Sequence, residues 1–319
     1  MCRDLQIFVL YTDLGDRKDM RLIEGPVPFY QFEGSSGSVA PNHGLPRFSE
    51  VSFEAAYPFG QVNLATPQLP VKVRMKAFNP LIPADIDNSS IPLAIIDFEL
   101  TNLSGKDIPF TICGTLPNFI GEGGSPAGTG KNRNAVIKEK QFSGIHFTSE
   151  GGDRNRDECG EMALVSVSEG DFTFRTGWKQ IGWGSSLLDF WDDLSADGRL
   201  ENRSDTVSKM PAGSIAVGNV LPANGEKTVR FIISWYFPNR TAWSTEPLKN
   251  YYSTKYDGAL DVLRKSVPML PFLEDKTNEF VNAFCSSDLP DVIKESALFN
   301  LSTLKTQTCF RLSDGNFFA

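Results

Sequence analysis

Histidine is nearly absent from this chain: His43 and His146 are the two present in 319 residues. A Ser–His or Cys–His nucleophile, or a histidine-based metal site, is hard to assemble from so few. Cysteine is scarce and scattered. Cys2, Cys113, Cys159, Cys285 and Cys309 are odd in number, widely spaced and form no Cys-x-x-Cys pair. Zinc knuckles and thiol redox motifs are therefore unsupported, and free thiols in a reducing compartment are expected. No apolar run approaches the roughly 18 residues of a membrane span. Residues 5–11 are apolar but short, follow Arg3-Asp4 and lack a small-residue cleavage site, which makes a poor signal peptide. Cations are in deficit too: 31 Lys and Arg against 39 Asp and Glu leave a net charge of −8. That argues against a nucleic-acid surface. No cofactor and no metal are expected.

What is present is period-2 patterning. Residues 71–77 alternate apolar and basic side chains, so one face packs and the other meets water. Residues 92–102 carry a second strand, closed by Asn102-Leu103-Ser104-Gly105. Segments 162–167 and 171–176 are expected to form a hairpin around Glu169-Gly170, and 214–220 and 227–237 another through Pro222-Ala223-Asn224-Gly225. In the last strand Val229, Phe231, Ile233, Trp235 and Phe237 share one face. The Gly-rich stretch 121–130 reads as a surface loop, and 185–196 has the spacing of a short helix ended by Asp197-Gly198. The expected fold is mainly β: a large antiparallel β-sandwich over residues 1–250, followed by a few C-terminal helices over 251–319.

The period changes after Asn250. Tyr256, Leu260, Leu263 and Val267 make a helical stripe, which Pro268 and Pro271 should break or kink. A second helix is expected over 273–284. A third should start near Ser287-Asp288, as a cap, with Pro290 in its first turn. Its apolar face would be Ile293, Ala297, Leu301 and Leu304. That face needs a partner or folds back on the sandwich, and left exposed it predicts self-association. Residues 310–319 read as an unfinished element.

Chemistry-bearing motifs are thin. Gly128-Thr129-Gly130-Lys131 fails as a phosphate loop, because Ser125 stands where the first Gly belongs and Asn132 where Ser or Thr is needed. Asp153-Arg154-Asn155-Arg156-Asp157 fails as a calcium loop, because Glu158 replaces the turn Gly and Leu164 the bidentate Glu. It reads as a solvated polar loop. Trp178, Trp183 and Trp191 could stack on sugar rings as a carbohydrate contact, but packing of the helix onto the sandwich is the preferred reading. Asp192-Asp193 and Glu158/Glu161 are the nearest approach to carboxylate pairs. Glycoside hydrolysis needs two carboxyl groups about 5–5.5 Å apart for retention or about 6.5–9.5 Å for inversion. Sequence neighbours on a helix point in different directions, so both pairs read as helix surface or turn. No catalytic residue is assigned.

One series of segments carries a resemblance. Arg3-Asp4-Leu5-Gln6-Ile7-Phe8, Gly44-Leu45-Pro46, Tyr57-Pro58-Phe59 and Leu69-Pro70-Val71 come first. Ala77-Phe78-Asn79-Pro80-Leu81-Ile82-Pro83, Ser90-Ile91-Pro92 and Asp197-Gly198-Arg199-Leu200 follow. The block from Phe231 to Tyr256, with Phe237-Pro238-Asn239-Arg240 and Asn250-Tyr251-Tyr252, is the most informative. Asn300-Leu301-Ser302-Thr303-Leu304 and Thr308-Cys309-Phe310-Arg311 close the series. In this order the segments resemble the N-terminal region of glycoside hydrolase family 116, which includes non-lysosomal glucosylceramidases and β-glucosidases. The resemblance implies an N-terminal β-sandwich, followed by an (α/α)6 barrel that cleaves β-glucosides with retention. It implies that the Glu nucleophile and Asp acid/base lie in barrel segments beyond Ala319, and that a Gly-rich strand precedes Arg3, so the chain reads as clipped at both ends. The expected function is a non-catalytic domain that supports the barrel and shapes substrate access, with the barrel as partner and a β-glucoside or glucosylceramide-like compound as the parent enzyme's substrate. The alternative is a self-sufficient carbohydrate-binding sandwich using the three tryptophans. Localisation is left open.

Overall fold

Strands that are apolar on both faces set the layering of this molecule. The computed structural model describes residues 7–28, 44–121, 131–151, 153–179, 181, 185–203, 212–241, 248–305 and 309–318. In chain order the elements are β1 (Ile7–Asp13), β2 (Lys18–Leu22), β3 (Glu50–Ala56), β4 (Phe59–Ala65), β5 (Val71–Phe78), the single turn α1 (Ile86–Ser89), β6 (Leu93–Asn102) and β7 (Ile108–Pro117). Next come β8 (Asn132–Lys138), β9 (Ser143–Ser149), β10 (Glu161–Ser166), β11 (Asp171–Arg175), α2 (Ser185–Asp197), β12 (Ala212–Leu221) and β13 (Glu226–Tyr236). The short strands β14 (Asn239–Arg240) and β15 (Leu248–Lys249) lead to α3 (Ala259–Ser266), α4 (Leu270–Cys285) and α5 (Asp291–Asn300), and the small hairpin β16 (Phe310–Arg311) and β17 (Phe317–Phe318) ends the description.

The long strands form two antiparallel sheets, one of five in the order β11-β12-β7-β1-β2 and one of eight in the order β3-β4-β5-β6-β13-β10-β9-β8. The main core lies between them, with Phe98, Val229, Phe231, Leu164, Ile112 and Ile215 among its members. A second core lies on the outer face of the large sheet, where Ile95, Val165 and Ile232 meet Val262, Leu263 and Leu273 of α3 and α4. A third lies on the outer face of the small sheet, where Val9 and Cys113 meet Phe190 and Leu194 of α2. The layers are therefore helix, small sheet, large sheet, helices, and the mainly β sandwich with C-terminal helices is the observed fold.

Both expected hairpins are corrected by this layering. β10 pairs with β9 and β13, whereas β11 pairs with β12 in the other sheet, so the link at Glu169-Gly170 crosses between sheets. Gly170 is needed there, because a Cβ would come within 2.7 Å of the Gly218 carbonyl oxygen. β12 likewise pairs with β7 and β11, and β13 with β6 and β10, so 222–225 is a second crossing. The reason is two-sided burial. In β10 Met162 and Leu164 face the main core while Ala163 and Val165 face α3, and in β12 Ile215 and Val217 face the main core while Ala212 and Ala216 face α2. Such strands carry no polar face to tell one sheet from the other. The shared face of β13 is as read, with Val229 and Phe231 in the main core and Ile233, Trp235 and Phe237 packed against it.

The helical boundaries also shift. α3 ends at Ser266, before Pro268, so the expected break is there, and α4 starts at Leu270 with Pro271 in its first turn, where a missing N–H costs nothing, so that proline opens the next helix. α5 is preceded by Pro290 at the cap position, and the Ser287 hydroxyl donates back to Phe284 (2.7 Å) instead of capping forward.

Candidate functional site

The acidic side chains are the first place to look for glycosidase chemistry, and the better-buried ones are tied up by cations. On the outer face of the large sheet, Lys76 of β5, Asp97 of β6 and Arg230 of β13 lie across neighbouring strands, since Lys76 pairs with Asp97 and Asp97 with Arg230 in register. Arg230 donates to both Asp97 oxygens (2.5 and 2.7 Å) and to Glu274 of α4 (2.7 Å). Lys76 Nζ bridges Asp97 (3.5 Å) and Glu274 (2.7 Å). Two cations and two anions thus close a ring that fastens α4 to the sheet, and Asp97 is buried within it. Burial works to raise the Glu274 carboxyl, but Lys76 and Arg230 outweigh it and hold it below the usual carboxylate range. The outer face of β5, expected to meet water, is therefore covered at Lys76.

A second ionic centre fastens α2 to the small sheet. Arg175, at the end of β11, is fully buried and donates to Asp189 (2.8 Å), Asp193 (2.5 Å) and the Glu201 carbonyl (3.1 Å). Arg203 reaches Asp189 (3.1 Å), Asp193 (3.2 Å) and Glu201 (2.7 Å). Asp193 is thus buried in an ion-pair cluster and is no helix-surface residue, while its neighbour Asp192 is exposed. Glu158 pairs with Arg156 (2.7 Å). Glu161 accepts from His146 (3.1 Å) and from the first N–H of α3, at Ala259 (3.3 Å). The His146 hydrogen bond is the largest influence on the Glu161 carboxyl and holds it below its ordinary value. Among the described residues, no group of three or more His, Cys, Asp or Glu side chains is placed to hold a metal ion.

The tryptophans separate. Trp178 is 2% exposed, stacks on Phe190 of α2 at 4.3 Å and donates its indole N–H to Ser214 (2.8 Å). Its ring lies in the seam between α2 and the small sheet, with no face free for a ligand. Trp191 is half-buried against the same core. Trp183 lies outside the described residues, as do residues 122–130 of the Gly-rich loop. In the polar loop, Asp153 accepts the Asn155 N–H (2.9 Å).

Two of the resembling segments build the junction between strands and helices. In Ala77–Pro83, the Leu81 N–H donates to Thr277 of α4 (3.2 Å), and Lys305 reaches Asn79 and the Pro80 carbonyl (2.5 Å). Burial pulls the Lys305 amine down to about 8. In the 231–256 block, Asn250 donates to the Phe237 carbonyl (2.9 Å) and the Phe237 N–H donates to the Tyr252 hydroxyl (3.0 Å). Burial pushes the Tyr252 phenol up to about 12. Arg240 lies 3.8 Å over Phe310 and Arg311 3.7 Å over Tyr251, so the last hairpin is stacked onto this junction.

Beyond the junction stands α5. Its buried contact is Leu298, which lines a groove of about 510 Å³ with Phe53, Ala55, Tyr57, Cys285 and Phe299. The expected face is rotated by one residue: Ile293 is exposed, Ala297 and Leu301 are half-buried, and the Leu304 side chain lies outside the description. Val292 is 72% and Phe299 56% exposed. No helix among the described residues is long and apolar enough to cross a membrane.

Two layered sheets flanked by helices, with ionic clasps and a protruding terminal helix, define the class: a helix-clad antiparallel β-sandwich. Residues 17–268 match the family described as beta-glucosidase 2, glycosyl-hydrolase family 116 N-term, and the chain belongs to it. It is also similar in structure to "Putative kojibiose phosphorylase from human microbiome", with 14% identity, a TM-score of 0.41, and coverage of 86% of this chain and 27% of that one. A second similar structure is a polysaccharide lyase, with 8% identity, a TM-score of 0.38, and coverage of 73% and 26%. The chain therefore spans about a quarter of the length of either protein. Comparison with curated proteins returned no match.

Proposed function

We propose that this chain is the non-catalytic β-domain of a retaining β-glucosidase or glucosylceramidase-like hydrolase. Residues 1–250 act as the sandwich, and 251–319 as the helical connection to the catalytic barrel. Its work is to hold that barrel in place and to shape substrate access. Family membership supports the hydrolase setting. The observation that carries the supporting role is the α4 clasp: Glu274 locks the helical layer to Lys76, Arg230 and, through them, Asp97, while α5 projects with Val292 and Phe299 uncovered. A rigid base with an apolar helix at its exit suits a module that carries another. Among the described residues, Asp97, Asp189, Asp193, Glu161 and Glu274 are engaged with Arg175, Arg230, Lys76 or His146. The test is an assay of the chain on an aryl β-glucoside. No turnover above buffer is expected. Turnover abolished by Glu161→Gln or Asp193→Asn, with the fold intact, would refute the reading.

A further inference from the structure

The large sheet has three more strands than the small one, and β3 forms its outer edge. Every residue of β3 except Ala56 is exposed. The strand is two-faced. Phe53 continues the inward row Val62–Met75–Phe98–Val229, whose inner members belong to the main core. Yet Phe53 is 68% and Val51 42% exposed, because the core ends before it reaches β3. On the other face, Ser52 continues the polar row Asn63–Arg74–Glu99–Thr228, flanked by Glu50 and Glu54. A cavity lies against each part of this strand. The groove shared with α5 is lined by Phe53, Ala55, Leu298 and Phe299, and a polar trough of about 740 Å³ is lined by Glu50 and Ser52.

We propose that β3 is a strand-addition site for an extended polypeptide that alternates apolar and basic side chains. Its backbone would pair with the edge of β3, which has no second partner strand among the described residues, as an added strand does. Its apolar side chains would extend the main core over Val51, Phe53 and Ala55, and its basic side chains would meet Glu50 and Glu54. A second copy of the chain is the poorer occupant. Antiparallel pairing of β3 with itself about Phe53 sets Ser52 opposite Glu54 and brings the Glu50 and Glu54 side chains of both copies within diagonal reach on one face. Like charges so placed oppose pairing.

The test uses the chain with a labelled seven-residue peptide alternating Lys and Val, followed by fluorescence anisotropy and hydrogen exchange. Saturable binding, slowed exchange at residues 50–56 and at least a tenfold loss in Glu50→Lys/Glu54→Lys are expected. The same double variant should gain binding of a peptide alternating Glu and Val. Both substitutions are on exposed positions, and an unchanged melting curve checks the fold. Absence of binding, binding indifferent to the double variant, or a dimer dissolved by Phe53→Lys would each overturn the proposal.

Discussion

Asp97 shows most plainly how single residues fix this molecule. It is buried, and its charge is tolerated because Arg230 grips both its oxygens while Lys76 stands 3.5 Å away. Removing the anion leaves two cations under α4 with Glu274 alone to balance them. Asp97→Ala should therefore cost about 3–5 kcal/mol in urea unfolding. Combined with Arg230→Ala, the loss should be well short of the sum, because the two side chains belong to one network. Glu161 gives a pH-dependent counterpart. Its carboxyl is held below the ordinary range by His146 and by the α3 N-terminus. It therefore contributes stability fully above the ordinary carboxylate range, and loses that contribution as the pH falls through its lowered folded value. Melting curves of the wild type and Glu161→Gln should differ at pH 6 and draw together toward pH 3.

At the scale of elements, the docking of the 301–305 turn on the Asn79-Pro80 loop rests on a lysine whose two acceptors are uncharged. Its amine is lowered to about 8, against about 10.4 in an unfolded chain. The unfolded state binds more protons between those values, so stability rises with pH across that window. Relative to Lys305→Met, the wild type should gain melting temperature from pH 8 to pH 10. What the sequence made legible also sorts by element. The inward face of β13 and the helix at 185–196 could be read because each has a polar side to contrast with its apolar one. The two crossings look like hairpins in sequence because β10 and β12 are buried on both faces, so alternation is silent about sheet membership. The apolar face of α5 sits one residue out of phase with its sequence pattern, because the side that turns inward is the one carrying Leu298, which lines a groove with Phe53, Ala55 and Tyr57. Arg175 gives no signal in sequence, because its partners, Asp189 and Asp193, lie 14 and 18 residues away and are brought to it by the return of α2 over the sheet.

The whole molecule is a stack in which each sheet is clasped by charge to the helices outside it: Arg175 to α2 and Arg230 to α4. What the stack leaves uncovered is the far side of α5. Studied alone, the chain should self-associate through Val292 and Ile293, which are exposed and lie outside the groove shared with β3, and Val292→Glu/Ile293→Glu should sediment as a monomer with stability changed by less than about 0.5 kcal/mol. Through the Arg230–Glu274 clasp the sandwich should hold its helical layer rigidly and so set where α5 projects. Hydrogen exchange resolved by segment tests it most directly. Residues 259–285 should be protected to the same degree as β13, and α5 less so, with Asp97→Ala releasing 270–285 while 226–236 stays slow. Rapid exchange through 270–285 in the wild type, or loss of protection in α4 and β13 together, would show that the clasp does not hold the helical layer.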